Sequence, residues 1–184
     1  FNLFTGNQAG YGGSAIASSE RALPIIRSNL FLNNVSEHQP SDTSARMGAG
    51  TIFLEAVGNG GNGSEFAQAG LYSNYFEGNR AAIAPGLYIG DQAGADVQRN
   101  TFANGIVTGS GLGAYNPSGG GLTPVDAQAI LIDRFFATND SSALAHNTYV
   151  GPQPATLIRP WIFNAAPTSQ LTINADSFAV SDTL

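Results

Sequence analysis

Three residues in the second half of the chain could perform acid–base chemistry on a polysaccharide. Asp133 and Arg134 directly follow an apolar run, and Asp126 lies a short distance before them. A polysaccharide lyase requires a basic side chain that abstracts a proton beside carboxylates that bind Ca²⁺. A solvated ion pair explains Asp133 and Arg134 equally well, and the chain has no Lys to act as the base. We therefore expect a protein that is not an enzyme, with these three residues as the catalytic candidates if it is one.

Two carboxylates that lie close in sequence point to a second chemistry. An inverting glycosidase places two carboxylates on either side of the scissile bond, and Asp91 with Asp96 could form such a pair. The two residues also bracket the turn 92–95, where Asp is favoured for turn formation. We interpret this pair as structural.

The possible metal ligands fall short of a metal site. A transition-metal site needs three or four ligands at fixed reach, and His38 and His146 lie far apart in sequence. Asn59, Asn62 and Glu65 could offer oxygens to Ca²⁺, but their spacing lacks the aspartates of known calcium loops. We expect no cofactor and no metal site, and Ca²⁺ is the alternative.

Three aromatic residues could stack on sugar rings: Tyr11, Tyr115 and Trp161. Tyr115 lies in a Gly-rich stretch in which burial is hard to arrange, so it is the main candidate for contact with a partner. The binding candidates are therefore Tyr115 and Trp161, together with His38 in the polar segment 37–42.

These residues must be positioned by a repeated unit that spans the whole chain. An Asn-x-aromatic motif occurs six times, the last time with Asp in place of Asn, and an apolar residue precedes each later copy by three positions. The repeated pairs are Asn2 and Phe4, Asn29 and Phe31, Asn74 and Phe76, Asn100 and Phe102, Asn147 and Tyr149, and Asp176 and Phe178. The apolar residues are Ile26, Leu71, Val97, Leu144 and Ile173. A second Asn follows the aromatic residue at Asn7, Asn34 and Asn79 and is replaced by Gly105 and Pro152 later.

The spacing of the copies predicts an all-β, parallel β-helix of about six coils with almost no helix. Repeats of 20–50 residues are typical of solenoids, and no apolar pattern keeps a 3.6-residue period. Each repeat has a second short apolar run that we expect to form a strand, at 14–16, 51–54, 86–89, 129–132 and 156–158. We expect the aromatic residues to stack inside and the Asn residues to form a hydrogen-bonded ladder at a turn, where Asn tolerates left-handed backbone geometry.

The copies are 27, 45, 26, 47 and 29 residues apart, and insertions account for the two long intervals. These insertions are segments 35–50 and 106–127, and a smaller one lies at 55–68. Both long insertions follow the same place in the repeat, so we expect them to leave one side of the solenoid about 10 Å apart. Long loops without secondary structure are usually functional or disordered, so these are the predicted binding segments.

Composition limits the classes of partner. The net charge is −6 and all seven basic residues are Arg, which argues against a nucleic-acid surface. The absence of Cys excludes disulfides and thiol catalysis, and no apolar run is long enough to span a membrane. The sequence starts within a repeat. We therefore expect 1–184 to be a single domain that is a fragment or processed piece of a longer chain, with its first coil covered by further coils or another subunit.

The run Phe4-Thr5-Gly6-Asn7 followed by Gly12-Gly13-Ser14-Ala15-Ile16 resembles the paired F-x-x-N and G-G-A-I motifs of polymorphic outer membrane proteins and related pectate-lyase-like β-helix surface proteins. The segments 73–79 and 86–89 form a second pairing of this kind. The resemblance implies that the β-helix is right-handed and that the protein is secreted or at the cell surface, often as an adhesin. Because the same coil also serves lyases, epimerases and phage tailspikes, it does not select a chemistry.

Two functions follow as hypotheses. The first is a non-enzymatic extracellular or cell-surface β-helix with a structural, adhesive or assembly role, which binds a polysaccharide or another surface protein through the insertions. The alternative is a carbohydrate-active enzyme, either a polysaccharide lyase or a glycoside hydrolase, that acts in a groove beside them.

Overall fold

The protein is described from a computed structural model. The structure describes residues 1–10, 12–19, 22–37, 49–54, 69–90, 93–108, 129–132, 141–151, 162–164 and 170–180. Over these ranges all regular secondary structure is β-strand and none is helix, which confirms the predicted all-β class. Accordingly, these ranges include no helix of the length and apolarity that a membrane crossing needs.

The strands form four sheets, A to D, in which every described pairing between strands is parallel. Sheet A contains β1 (Leu3–Thr5), β5 (Leu30–Leu32), β9 (Tyr75–Glu77), β13 (Thr101–Ala103), β17 (Thr148–Gly151) and β20 (Ser177–Val180). Sheet B contains β2 (Gln8–Ala9), β6 (Val35–Ser36), β10 (Arg80–Ala81) and β14 (Ile106–Val107). Sheet C contains β3 (Ile16–Ser18), β7 (Ile52–Leu54), β11 (Leu87–Ile89), β15 (Ile130–Ile132) and β18 (Ile162–Asn164). Sheet D contains β4 (Ile25–Arg27), β8 (Ala69–Tyr72), β12 (Ala95–Gln98), β16 (Ser141–Ala145) and β19 (Gln170–Asn174).

The chain passes through the sheets in a fixed order. Four successive repeats each add one strand to sheets A, B, C and D in turn, and a fifth adds β17, β18 and β19 to sheets A, C and D. Each repeat therefore contains more strands than the two that the sequence predicts. The sheet B strands are only two residues long. Such strands are too short to show the alternation by which a strand is recognised in a sequence.

The predicted aromatic positions are aligned across all six strands of sheet A. Phe4, Phe31, Phe76, Phe102, Tyr149 and Phe178 are direct neighbours in the parallel register. Their rings stack with centroids 4.6 to 5.5 Å apart. The four central rings are buried, whereas Phe178 at the end of the stack is 52% exposed because it has a ring on only one side. The stack is thus confirmed, with an open end at Phe178.

The predicted apolar positions form a second row inside the sheets. Ile26, Leu71, Val97, Leu144 and Ile173 are direct neighbours in sheet D. The inward residues of sheet C join them, and together with the rings of sheet A they form one continuous core. Alternation along a strand then turns the residues on either side of each core position outward.

The left-handed backbone lies one residue before the ladder Asn and not at it, which corrects the expectation from the sequence. The residues at this position have φ between 54° and 57°, and they are Ser28, Ser73, Arg99, His146 and Ala175. Each precedes a residue of the Asn ladder. The sharp bend at this position points the next side chain inward, where its amide meets the equivalent amide of the neighbouring repeat.

A second apolar cluster covers the outer side of sheet C. The rings of Phe53 and Tyr88 stack with centroids 4.8 Å apart. Ala49, Ile83 and Ala84 pack with these rings, so that both faces of β7 and β11 are buried. The sequence shows these residues only as part of continuous apolar runs, which are typical of strands buried on both faces.

Several predicted boundaries differ from the observed strands. The strand expected at 14–16 is observed as β3, which begins two residues later, at Ile16. The last strand of sheet C was expected at 156–158, and the observed strand is β18 at Ile162–Asn164. Residues 152–161 lie outside the described ranges. Segment 35–50 begins with strand β6 and segment 106–127 with strand β14, and most of each segment, together with all of 55–68, also lies outside them.

Candidate functional site

The buried polar side chains of the core are organised into a ladder. The Nδ2 atoms of Asn2, Asn29, Asn74 and Asn100 each donate to the Oδ1 atom of the next ladder Asn, at 2.9, 3.2, 2.9 and 3.1 Å. The backbone N–H of each residue donates to the same oxygen at 2.9 to 3.1 Å. The second Nδ2 hydrogen of Asn74 reaches the carbonyl oxygen of Ile26 at 2.9 Å. The ladder is thus confirmed, and its amides are used within the fold.

The ladder ends in a carboxylate. Asp176 accepts hydrogen bonds from the backbone N–H of Asn147 at 2.9 Å and from the Tyr149 hydroxyl at 3.1 Å. Burial raises the pKa of Tyr149 well above its usual value, and the charge and hydrogen bond of Asp176 raise it further. Tyr149 is therefore a neutral donor throughout the physiological pH range.

A second, shorter ladder joins Asn7, Asn34 and Asn79, with Nδ2 to Oδ1 distances of 2.9 and 3.0 Å. Gly105 occupies the next position. A small cavity with about 10 Å³ of room for the centre of a water molecule lies there, bordered by Asn79, Gly105 and Phe102. This is space for about one water, so the cavity is too small for a ligand.

One buried hydroxyl lies near the beginning of this ladder. Ser36 donates from its hydroxyl to the carbonyl oxygen of Gly50 at 2.7 Å and accepts from the backbone N–H of Ser14 at 3.2 Å. Among the described residues, the Ser14 hydroxyl oxygen is the buried side-chain polar atom that has no hydrogen-bond partner. Ser14 lies between Gly13 and Ala15 in the run that resembles the G-G-A-I motif.

A hydrogen-bonded group of polar and aromatic side chains lies on the outer face of sheet D. Gly70 and Asp96 are direct neighbours across β8 and β12, and so are Tyr72 and Gln98. The Tyr72 hydroxyl donates to Asp96 Oδ2 at 3.0 Å, and Gln98 Nε2 donates to both Asp96 oxygens at 2.7 and 2.9 Å. Arg27 of β4 is the neighbour of Tyr72 on the other side. We call Arg27, Tyr72, Asp96 and Gln98 the sheet D cluster.

The glycine at position 70 allows the Tyr72 ring to lie back over its own strand. A Cβ atom at this position would come within 2.4 Å of Cε2 and 2.8 Å of the hydroxyl oxygen of Tyr72. The ring consequently covers Gly70, which is buried, and directs the hydroxyl to the neighbouring strand. Burial raises the pKa of Tyr72, and the hydrogen bond and charge of Asp96 raise it further.

A hollow of about 230 Å³ lies on the outer side of sheet B, lined by Gln8, Ala9, Gly10, Val35 and Glu37. Glu37 approaches the guanidinium of Arg80 at 3.6 Å, and both side chains are about half exposed. Such an exposed pair contributes little to stability. The hollow adjoins the start of segment 35–50 and therefore marks the root of one predicted binding segment.

The candidate residues from the sequence fall largely outside the described ranges. Those so placed are Asp126, Asp133, Arg134, Tyr115, His38, Trp161, Tyr11, Asp91, Asn59, Asn62 and Glu65. Their proposed roles stay predictions. His146 is described and lies exposed at the left-handed position before Asn147. Within the described ranges no three His, Asp or Glu side chains are grouped as metal ligands would be.

Sequence reasoning missed the role of Tyr72 and Gln98 and assigned Asp96 to a turn. The available signal was the alternation Gly70-Leu71-Tyr72 beside Asp96-Val97-Gln98, because each pair flanks a core residue that the repeat had already identified. Comparison of the chain with protein-family models, with curated proteins and with solved structures finds no match. The resemblance to surface β-helix proteins consequently rests on the motif residues themselves.

Proposed function

We propose that this chain is a right-handed parallel β-helix of about six coils with a structural, adhesive or assembly role outside the cell. The support for a β-helix is the fixed order in which successive repeats add strands to the four parallel sheets. In such a solenoid every repeat contacts mainly its two neighbours, and like residues lie in line along the axis.

The observation on which the non-catalytic role rests is the use of the core polar groups. A catalytic side chain is needed once, whereas the ladder Asn recurs in every repeat and its amide bonds to the next amide. These hydrogen bonds leave the interior without a free charged group among the described residues. We therefore locate function on the outer surface and in the long segments.

The proposed location follows from the motif residues. In the first repeat Phe4 joins the aromatic stack, Asn7 starts the second ladder and Gly13, with φ of 67°, makes the turn before β3. The paired motif therefore coincides with the residues that build the repeat, as its use in surface β-helix proteins would require. On this basis we propose a secreted or cell-surface protein.

We further propose that segments 35–50 and 106–127 contact the partner. Each begins with a strand of sheet B and leads to a strand of sheet C, namely from β6 to β7 and from β14 to β15. Only β10 separates β6 from β14, so the two roots are about 10 Å apart. The hollow beside Val35 and Glu37 adjoins the first root.

The test replaces residues 38–48 and 109–128 with short Gly-Ser links, singly and together, in the otherwise intact chain. Binding of fluorescently labelled protein to an array of immobilised extracellular polysaccharides and matrix proteins would be compared with the unaltered chain. We expect the doubly shortened variant to keep its β-type circular dichroism and cooperative unfolding and to lose contacts that the unaltered chain makes. If this variant binds as the unaltered chain does, the segments do not contact the partner.

The enzymatic alternative is examined on the same array. The unaltered protein would be incubated with each polysaccharide, with and without Ca²⁺, and assayed for new reducing ends and unsaturated products. A scaffold produces neither. If the unaltered protein forms such products and the variants Asp133→Asn and Arg134→Gln do not, the protein is a carbohydrate-active enzyme and the scaffold role is wrong.

A further inference from the structure

We propose that the sheet D cluster is a binding site for a neutral oligosaccharide. The cluster lies on the regular part of the fold, so the proposal does not depend on the function assigned to segments 35–50 and 106–127. It starts from the alternation in sheet D: Ile26, Leu71 and Val97 are buried, and Arg27, Tyr72 and Gln98 beside them face outward.

The Tyr72 ring provides a flat apolar platform. The Cε2, Cζ and hydroxyl oxygen atoms of the ring lie against Gly70, and the side chain as a whole is partly exposed. The tyrosine side chain combines an apolar ring face with a polar tip, and the tip is already held by Asp96 at 3.0 Å. A pyranose ring has the complementary surface, because one of its faces carries axial C–H groups and its rim carries hydroxyls.

The polar atoms beside the ring are fixed before any ligand arrives. Gln98 donates to both oxygens of Asp96 and Tyr72 donates to one, so the carboxylate has a single orientation. Oδ2 of Asp96 already accepts from both Tyr72 and Gln98, whereas Oδ1 accepts only from Gln98 and can take one further hydrogen bond, from a sugar hydroxyl. A preformed arrangement of this kind avoids the entropy cost of ordering side chains on binding.

The charges select a neutral ligand. Arg27 on one side of Tyr72 and Asp96 on the other are opposite in sign, so the cluster as a whole attracts neither anions nor cations. The net charge of −6 further disfavours an acidic polysaccharide. Arg27 then acts as a hydrogen-bond donor to hydroxyl oxygens rather than as a counter-ion.

The size of the cluster fits a short glycan segment. Arg27, Tyr72 and Gln98 lie on the three adjacent strands β4, β8 and β12, and therefore span about 10 Å along the sheet. That length corresponds to roughly two sugar rings. Ile25, which is 72% exposed and is the neighbour of Gly70, extends the apolar platform toward β4.

Native affinity electrophoresis provides the test, with glucan, xylan, mannan or galactan in the gel and polygalacturonate as the acidic comparison. We expect at least one neutral polysaccharide to retard the protein and Tyr72→Ala to weaken that binding by about tenfold or more, as loss of a stacking aromatic does. Tyr72→Phe keeps the platform but releases Asp96, so we expect a smaller loss.

Tyr75→Ala is the matched control, because Tyr75 lies half-buried on the outer face of the adjacent sheet A, three residues further along the chain. We expect it to bind like the unaltered protein. Circular dichroism and thermal midpoints establish that each variant is folded, and Gln98→Ala replaces Tyr72→Ala if the latter unfolds.

The proposal is overturned if no neutral polysaccharide retards the unaltered protein, if only polygalacturonate does, or if Tyr72→Ala binds normally. Equal losses in Tyr72→Ala and Tyr75→Ala would also overturn it. The variant with both segments shortened should still be retarded in a manner that depends on Tyr72. Retardation that vanishes with the segments alone would place the binding there instead.

Discussion

Single side chains of the Asn ladder should contribute unequally to stability according to how many partners they satisfy. Asn74 is 2% exposed, accepts from Asn29 and donates to Asn100 and to the Ile26 carbonyl. Asn74→Ala leaves several buried groups unpaired, at about 1–3 kcal/mol for each. We expect the free energy of unfolding from urea titration to fall by roughly 3 kcal/mol or more.

The control for this prediction is Asn2→Ala at the exposed end of the same ladder. Among the described residues the Asn2 side chain donates to Asn29, and solvent can replace that partner because Asn2 is exposed. The loss should stay below about 1 kcal/mol. If Asn2→Ala and Asn74→Ala lower the free energy of unfolding by similar amounts, the buried amides of the ladder are not the source of its stabilising effect.

The Tyr149 hydroxyl predicts a loss of stability at alkaline pH. Its pKa in the folded protein is raised, chiefly by burial and then by Asp176, so the folded state holds this proton more tightly than the unfolded state does. The stabilisation is complete below the unfolded pKa of about 10 and declines as the pH rises above it. We expect the urea midpoint to decrease between about pH 9 and pH 11, and to decrease less in Tyr149→Phe.

Tyr75→Phe provides the comparison for that measurement. The pKa of Tyr75 is also raised, by partial burial and then by Glu77, but its side chain is on the outer face. We expect this variant to retain most of the alkaline decrease of the unaltered protein. A decrease that disappears in Tyr75→Phe and persists in Tyr149→Phe would disprove the assignment to Tyr149.

At the level of single residues, the repeats make the inward-facing side chains predictable from the sequence. They do not reveal which turn residues adopt positive φ. The Asn and aromatic residues recur because each must match its neighbour in register, as Phe31 matches Phe76. The left-handed positions include Ser28, Arg99 and Ala175, which share no residue type. Backbone geometry imposed by the stack therefore overrides the usual preference of Gly and Asn for positive φ.

The shorter Asn ladder stops before Gly105, and restoring an Asn there should extend the ladder and stabilise the fold. Gly105 follows Asn7, Asn34 and Asn79 in that ladder, and a cavity of water size adjoins it. Asn at 105 should place its carbonyl oxygen where the Asn79 amide can donate. Gly105→Asn should therefore raise the free energy of unfolding by about 1 kcal/mol from hydrogen bonding, in addition to the gain from a less flexible unfolded chain.

Gly105→Ala separates these two contributions. Gly105 is not among the described glycines with positive φ, so a Cβ is compatible with its backbone. Alanine should contribute only the chain-entropy gain of about 0.5 kcal/mol. If urea titration finds Gly105→Asn no more stable than Gly105→Ala, the ladder does not extend through this position.

Strand-level prediction from the sequence succeeded where a strand is a continuous apolar run. Runs 51–54, 86–89 and 129–132 became β7, β11 and β15. The two-residue strands of sheet B could not be anticipated, because they are defined by neighbours in other repeats rather than by their own residues. The burial of the outward-facing rings of Phe53 and Tyr88 likewise depends on Ala49 and Ile83, which lie outside β7 and β11 and pack with them.

For the molecule as a whole, the sequence predicts architecture better than function. The all-β class and the parallel alignment of repeats follow from spacing, since like residues must stack to form the core. The sheet D cluster is assembled from three repeats, so its residues are distant in sequence and share no motif. Only the outward alternation around known core positions brings them together.

A stack in which each repeat contacts its two neighbours should unfold from its ends. In sheet A the amides of Tyr75 and Thr101 bond to the carbonyls of Asn29 and Asn74 in the middle of the stack, whereas those of Leu30 and Ser177 bond at its ends. Hydrogen exchange of these four amides should show the strongest protection at Tyr75 and Thr101. In Asn74→Ala we expect the protection of Tyr75 and Thr101 to fall toward that of the ends, with Ser177 little changed. Equal protection of all four amides in the unaltered protein would show instead that the repeats unfold as one cooperative unit, and would contradict a solenoid whose stability is a sum over neighbouring coils.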